Sequence, residues 1–136
     1  MSQEISILVI DDTAAHRSLI KKAIEKASIT SSFVEAGSLA EAKSLLITSD
    51  SPPEASLALV DLNLGDGRGT DLISAMRQTS AYGSIPIIVL STSARSEDRD
   101  ESLLVGANDF LTKSSDLLEF RKEVASTVSD WLDKTL

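Results

Sequence analysis

LALVDLNL, residues 57–64, joins an apolar run to a carboxylate, Asp61, and three glycines follow at positions 65, 67 and 69. A short apolar run that is bounded by turn-forming residues is typical of a strand buried on both faces. In an open parallel sheet, the carboxyl ends of the strands form the edge at which ligands bind. The segment therefore predicts that Asp61 lies at a functional edge of such a sheet.

Two other apolar runs end in polar residues in the same way. Residues 5–10 (ISILVI) lead into Asp11 and Asp12, and residues 85–90 (IPIIVL) lead into Ser91. Weaker strands are expected at 32–35 and 107–111, with helical periodicity between the strands. Strand and helix thus alternate five times along the chain. This alternation predicts an α/β fold, namely a doubly wound, five-stranded parallel sheet with helices on both faces.

Capping and turn residues indicate where the helices begin and end. Ser38-Leu39-Ala40-Glu41 has the pattern of a capping box, which predicts the start of the second helix. Leu72, Ile73 and Met76 have the apolar spacing of a third helix, which is expected to end near Tyr82-Gly83.

The composition indicates one acidic domain and excludes several kinds of site. A length of 136 residues suits a single domain, 1–136, and 42% of the residues are hydrophobic. The net charge of -8 at pH 7 argues against direct binding to nucleic acid or to an acidic membrane surface. Because there is no cysteine, disulfides and thiolate chemistry are excluded. With no apolar run of membrane-spanning length and no signal-peptide pattern, the chain is expected to be cytoplasmic.

Three carboxylates, those of Asp11, Asp12 and Asp61, are expected to meet at one edge of the sheet. Without a counter-charge they would repel each other, and at least one of them would hold a proton. A divalent cation removes this conflict, and a small open site with few carboxylates suits Mg²⁺ better than Ca²⁺. The predicted ligands are Asp12, Asp61 and a backbone carbonyl near Asn63, with Asp11 acting through a water molecule.

An ionised aspartate at this position can also be a nucleophile, because aspartyl phosphate is a known covalent intermediate. A phosphoryl group on Asp61 would add negative charge, so Mg²⁺ on one side and an ammonium on the other would complete a clamp. Lys113 follows the last predicted strand and can supply that ammonium. Ser91, at the end of the fourth strand, offers a hydroxyl to a phosphoryl oxygen. Asp61, Lys113 and Ser91 are therefore the predicted reacting groups.

These groups, in this order along the chain, resemble the receiver domain of bacterial two-component response regulators. The resemblance covers almost the whole chain and rests on Asp11, Asp12, Asp61, Ser91, Phe110 and Lys113. It implies a flavodoxin-like fold with the strand order 2-1-3-4-5. It also implies Mg²⁺-dependent transfer of a phosphoryl group from the phosphohistidine of a sensor kinase to Asp61, followed by hydrolysis. In this family a hydroxyl residue and an aromatic residue change position, and Ser91 and Phe110 would take these switch roles.

The resemblance further implies partners and an output. A sensor histidine kinase or a histidine phosphotransfer protein would donate the phosphoryl group, and a downstream protein would bind the phosphorylated form. A homodimer is left open, and a stand-alone regulator is expected because no output domain follows the last helix. The charged segment 96–104 has little apolar anchorage, so this helix and the Phe110 strand are expected to form the signalling surface. Asn63 and Ser93 occupy the positions that tune phosphoryl lifetime in the family, and their small polar side chains predict measurable self-dephosphorylation.

Two other functions remain open from the sequence. A degenerate receiver would act only as a scaffold. In its support, Ser114 follows Lys113 where the family usually has a proline after a cis bond, and a cis bond before serine costs roughly 3 kcal/mol. A phosphatase of the haloacid dehalogenase type would also form an aspartyl phosphate. That family, however, has a second aspartate two residues after the nucleophile, where this chain has Asn63.

Two remaining features receive a structural interpretation. The glycines at 65, 67 and 69 predict turns rather than a nucleotide site, because Asp66 and Asp71 lie among and after them and would repel a pyrophosphate. His16, the single histidine of the chain, is expected to be a surface residue of the first helix.

Overall fold

The computed structural model describes residues 4–135, which form five strands and five helices that alternate along the chain. The strands are β1 (Ile5–Ile10), β2 (Ser31–Ala36), β3 (Leu57–Asp61), β4 (Ile87–Ser91) and β5 (Asp109–Thr112). The helices are α1 (Ala14–Lys26), α2 (Leu39–Leu46), α3 (Gly69–Arg77), α4 (Ser96–Leu104) and α5 (Leu117–Thr135). Every neighbouring pair of these strands is parallel, and the sheet order is β2-β1-β3-β4-β5, which confirms the predicted doubly wound fold.

The register of the central strands brings their polar ends to one edge of the sheet. The pairing of β1 with β3 carries Asp11 and Asp61 to that edge. Ser91 of β4 lies opposite the last residue of β5, so Lys113 follows directly beside it. Side chains that are far apart in the sequence therefore meet above the carboxyl ends of the strands.

The sheet is covered on both faces, and alternate residues of each strand belong to opposite layers. In β1, Leu8 and Ile10 belong to the apolar cluster of α2 and α3, whereas Ile7 and Val9 belong to the cluster of α1 and α5. β3 and β4 are buried along their whole length, as is typical of central strands in a parallel sheet. Because each fully buried Leu or Ile contributes about 1.5–3 kcal/mol, burial strongly stabilises the strands whose ends carry the polar groups.

α3 ends at Arg77, well before the predicted end near Tyr82, so this boundary prediction was wrong. Tyr82 is fully buried but lies in a turn, which is closed by hydrogen bonds from Thr79 N to Met76 O and from Tyr82 N to Thr79 O. The Tyr82 hydroxyl donates to the Pro53 carbonyl at 2.6 Å. The residue is thus anchored in the core without belonging to the helix.

Three strands also have other bounds than predicted, and the first of them, β2, spans Ser31–Ala36 rather than 32–35. β4 begins at Ile87 rather than at Ile85, since Pro86 has no N–H to give to the sheet. The Ile87 N–H donates instead to the side chain of Asn108, at 2.8 Å. β5 spans Asp109–Thr112 rather than 107–111.

Candidate functional site

Three carboxylates gather where β1 and β3 end. Asp11, Asp12 and Asp61 each offer one oxygen, and these oxygens lie within 4.8 Å of one another. Asp11 is 1% exposed and Asp61 is 8% exposed, whereas Asp12 is open to solvent. Carboxylates this close need a cation between them, and a set of carboxylate oxygens fits a hard divalent metal ion.

Lys113 supplies one positive charge to this cluster. Its Nζ donates to Asp11 Oδ2 at 2.9 Å and to Asp61 Oδ2 at 2.8 Å, and its side chain is 8% exposed. Its backbone N–H donates to the Ser91 carbonyl at 2.6 Å, which fixes the lysine at the end of β5. Burial alone lowers the pKa of Lys113, but its hydrogen bonds to the two aspartates outweigh that effect and raise the pKa above its ordinary value. The lysine therefore remains an ammonium.

Asp61 is a buried carboxylate with a defined partner for each oxygen. Oδ2 accepts from Lys113 Nζ, and Oδ1 accepts from the Asn63 backbone N–H at 3.0 Å. Burial raises the pKa of Asp61, and the charge of Asp11 adds to this rise, while Lys113 and the Asn63 N–H partly oppose it. The carboxylate is thus held in a position where positive charge from a bound cation is favourable.

Ser91 and the Lys113–Ser114 bond complete this edge of the sheet. Ser91 is buried, and its Oγ accepts from the Ser93 backbone N–H at 3.0 Å. Among residues 4–135 no peptide bond is cis, so the bond between Lys113 and Ser114 is trans. Lys113 nevertheless contacts both Asp11 and Asp61. The unusual Ser114 therefore leaves the ion pairs of Lys113 intact.

The glycine-rich loop after β3 packs closely against the aspartates. A Cβ at Gly69 would lie 2.2 Å from the Asp61 carbonyl oxygen, and Gly65 has a φ of +81° and lies beside Asp12. The Asp66 carboxylate accepts from the backbone N–H groups of Leu39 and Ala40 at the start of α2, at 2.7 and 3.0 Å. These two hydrogen bonds lower the pKa of Asp66. The loop thus serves turns and helix capping, as its interpretation from the sequence indicated.

His16 is a site residue that the sequence interpretation missed. Its Nδ1 lies 3.1 Å from Lys113 Nζ and 3.7 Å from Asp11 Oδ2, although its side chain is 42% exposed. His16 lies in the first turn of α1, which begins at Ala14 directly after the polar end of β1. The sequence places it near this edge of the sheet, but no residue pattern marks its contact with Lys113.

A second polar network holds α4 against the loop after β3. Arg68 Nη2 lies 3.4 Å from Asp98 Oδ1 and 3.2 Å from Glu101 Oε2. Thr70 Oγ1 donates to Glu101 at 3.2 Å, and Ser93 Oγ donates to Asp98 at 2.6 Å. The hydrogen bond from Ser93, with the charges of nearby arginines, lowers the pKa of Asp98. α4 has one buried side chain, that of Ser102, so these polar contacts contribute much of its attachment.

Phe110 of β5 is buried in the apolar cluster of α2 and α3 and is 8% exposed. The ring already lies inside in this conformation, and its role as a switch stays a prediction.

Asn63, the other predicted ligand, lies on the turn after β3, and its side-chain oxygen accepts from the Gly65 N–H at 3.1 Å.

Within the described part of the chain, no helix combines the length and apolar character needed to cross a bilayer.

The fold and the site together define a doubly wound α/β domain with a cluster of three carboxylates at the sheet edge and a buried lysine beside them. The family profile "Response regulator receiver domain" matches residues 7–125, and the chain therefore belongs to this family. Receiver domains are phosphoacceptor signalling domains of two-component systems, which take phosphoryl groups from histidine kinases and bind a divalent metal ion through clustered aspartates. The chain is accordingly a two-component response regulator of the receiver type.

Individual relatives agree with this assignment. The response regulator Rcp1 of Synechocystis sp. is 28% identical over 130 residues, which cover 93% of this chain and 88% of that protein. The chemotaxis protein CheY1 of Helicobacter pylori is 26% identical over 128 residues, or 93% of this chain and all of CheY1. The transcriptional regulatory protein KdpE of Escherichia coli is 31% identical, but the matched region is 57% of its length.

Solved structures show the same architecture. The phosphorylated cyanobacterial phytochrome response regulator RcpA has a TM-score of 0.86 with 26% identity, and 98% of each chain is covered. The Mn²⁺-bound form of Rcp1 also has a TM-score of 0.86, with 27% identity and 97% coverage of each chain.

Proposed function

We propose that this chain, as a single receiver domain over residues 1–136, accepts a phosphoryl group on Asp61 and that the reaction depends on Mg²⁺. The donor is the phosphohistidine of a sensor histidine kinase or of a histidine phosphotransfer protein. The observation that carries the proposal is the contact between Asp61 Oδ2 and Lys113 Nζ, 2.8 Å, inside the carboxylate cluster. A buried carboxylate beside a buried ammonium is an arrangement that can receive an anionic group and neutralise it.

The residues have separate roles in this reaction. A carboxylate oxygen of Asp61 forms a bond to phosphorus while the bond from phosphorus to the histidine nitrogen breaks, and the electron pair of that bond stays on the imidazole. Lys113 and the Ser91 hydroxyl donate to phosphoryl oxygens and balance the added charge. Asp12, Asp61 and the Asn63 backbone carbonyl would hold Mg²⁺ directly, with Asp11 through water. When bound, the ion supplies positive charge for the incoming phosphoryl oxygens.

The chain acts once per phosphoryl group rather than as a turnover enzyme. Asn63 stands where a phosphatase of the haloacid dehalogenase type has its general acid, and an amide cannot transfer a proton. Water then hydrolyses the acyl phosphate, because the small polar side chains of Asn63 and Ser93 do not block an attacking water molecule. The ion pairs of Lys113 also speak against a pure scaffold, since they keep the reactive groups in place.

α4 and β5 form the surface that a downstream protein would bind. α4 carries an exposed Leu104, 87% accessible, and is held to the rest of the domain largely through Arg68 and Ser93. Ser93 N also donates to Ser91 Oγ, so a movement of the Ser91 hydroxyl toward a phosphoryl group breaks a contact next to α4. Phosphorylation would thereby loosen or shift α4 and change the surface.

Intact-mass measurement after incubation with acetyl phosphate tests the phosphoacceptor role. Wild type with Mg²⁺ should gain one phosphoryl group, and protein treated with EDTA or carrying Asp61→Asn should gain none. After removal of acetyl phosphate the label should decay without added enzyme, and a phosphoprotein stable for days would contradict the proposed self-dephosphorylation. Many turnovers on a generic phosphomonoester would instead favour the phosphatase.

A further inference from the structure

The Lys113 ammonium has three acceptors around it, and one of them is a histidine. Its Nζ lies 2.9 Å from Asp11 Oδ2, 2.8 Å from Asp61 Oδ2 and 3.1 Å from His16 Nδ1. A lysine ammonium has three N–H donors and no acceptor. Each of the three neighbours can therefore take one hydrogen, provided that Nδ1 presents its lone pair. The proton of the imidazole then lies on Nε2.

We infer that His16 is a positioning residue for Lys113, holding the ammonium through Nδ1 so that it stays directed at the phosphoryl group on Asp61. The inference rests on the proposed phosphoacceptor function. It extends that function to a residue of α1 that lies outside the carboxylate cluster of Asp11, Asp12 and Asp61.

The reason lies in how the other two acceptors change during the reaction. Asp61 loses its full negative charge when one oxygen is bonded to phosphorus, and Asp11 is also drawn toward a bound cation. His16 Nδ1, 3.1 Å from Lys113 Nζ, bonds neither to the phosphorus nor to the proposed metal ion, so the reaction leaves this contact in place. It is the acceptor that keeps Lys113 in place while the other two contacts are rearranged.

The backbone at the start of α1 is well fixed for this purpose. The neighbouring Arg17 donates from Nη1 to the Asp11 carbonyl at 2.6 Å and from Nε to Glu35 at 3.2 Å, which ties α1 to the ends of β1 and β2. Glu35 is also bound by Lys21 at 2.8 Å. The imidazole therefore projects from an anchored helix turn, although one side of the ring faces solvent.

Two substitutions distinguish the effect of the hydrogen-bond acceptor on residue 16 from the effect of its side-chain size. His16→Asn keeps an oxygen at the position of Nδ1, and His16→Leu keeps a side chain of similar reach without an acceptor. Losing one hydrogen bond to a charged group at a half-exposed position should slow acetyl phosphate labelling by about fivefold to tenfold in His16→Leu. His16→Asn should recover most of the wild-type rate. Equal rates for wild type and His16→Leu, or an equally slow His16→Asn, would overturn the inference.

Nitrogen NMR gives a readout that does not depend on labelling. His16 is the single histidine, so its ring nitrogens need no further assignment. The spectrum of the unphosphorylated protein should show an unprotonated Nδ1 and a protonated Nε2, and Lys113→Met should shift the Nδ1 resonance. A protonated Nδ1, or a spectrum unchanged by Lys113→Met, would refute the contact. If wild type itself is not labelled, the phosphoacceptor proposal fails. The spectrum still decides whether His16 Nδ1 accepts a hydrogen bond from Lys113.

Discussion

Replacing Gly69 with alanine should displace the backbone of Asp61 itself. The new Cβ would lie 2.2 Å from the Asp61 carbonyl oxygen, 3.1 Å from its carbonyl carbon and 3.0 Å from Val60 Cγ1. Gly69 N also donates to Leu62 O at 2.7 Å, so the start of α3 is not free to move away. The two segments must separate by roughly 1 Å, and a misplacement of that size can slow a reaction by about 100-fold.

The stability cost can be estimated from the same contacts. Overpacking a well-filled site typically costs about 1–3 kcal/mol, and we expect the upper end because backbone atoms stand in the way. For a domain of this size, about 3 kcal/mol lowers Tm by roughly 10 °C. The assays are thermal unfolding by circular dichroism and the initial rate of acetyl phosphate labelling with Mg²⁺.

Gly83 provides a matched control for this substitution. A Cβ there would lie 3.7 Å and 3.8 Å from the nearest atoms, which is ordinary contact, and no positive φ is involved. Gly83→Ala should be neutral or stabilise the protein by about 0.4–1 kcal/mol through the unfolded chain. If Gly69→Ala melts at the same temperature as Gly83→Ala and is labelled as fast, the close packing of α3 on Asp61 is wrong.

Three further predictions concern other parts of the domain. The Arg77 guanidinium donates to the carbonyls of residues 82, 85 and 106 and to the side chain of residue 108. Arg77→Lys should therefore lower the free energy of unfolding in urea by about 3 kcal/mol. The control Arg99→Lys, at an exposed position, should change it by almost nothing. Arg68→Gln should speed amide hydrogen exchange across residues 96–104, and unchanged protection would mean that the ion pairs do not hold α4. Asp61→Asn should raise Tm in metal-free buffer at neutral pH. The pKa of Asp61 in the folded protein lies above the ordinary 3.8, so ionisation of this carboxylate destabilises the wild-type fold as the pH rises. The neutral amide of the variant removes this cost. That gain should fade as the pH falls toward 3.8, and a gain that grows in acid would contradict the direction of the shift.

Much of the site could be predicted because it lies at strand ends. Apolar runs that stop at Asp11, Asp61 and Ser91 identify the strands and place their polar ends at the same time. The order of a doubly wound sheet then requires these ends to meet. The lysine after the last strand follows from the same geometry. A site of this kind is visible in the sequence because one rule positions all its members.

Other contacts could not be predicted, because they depend on where helices begin and on bonds to backbone atoms. The approach of His16 to Lys113 requires α1 to start at residue 14 with a particular rotation. The Arg77 side chain binds backbone carbonyls, which every residue type has, so no pattern in the sequence marks its partners. Asp66 caps α2 from a loop more than twenty-five residues later in the chain, a pairing that only the folded structure reveals.

Trapping the acyl phosphate provides the most direct test of phosphoryl transfer to the strand edge. Protein labelled with acetyl phosphate in Mg²⁺ is reduced with borohydride, which converts an aspartyl phosphate to homoserine, and is then mapped by peptide mass spectrometry. The conversion should occur at residue 61 and at no other aspartate, and it should be absent from protein labelled without a divalent metal ion. Conversion at Asp11 or Asp12, or none at all in a protein that has gained a phosphoryl group, would contradict the role assigned to Asp61.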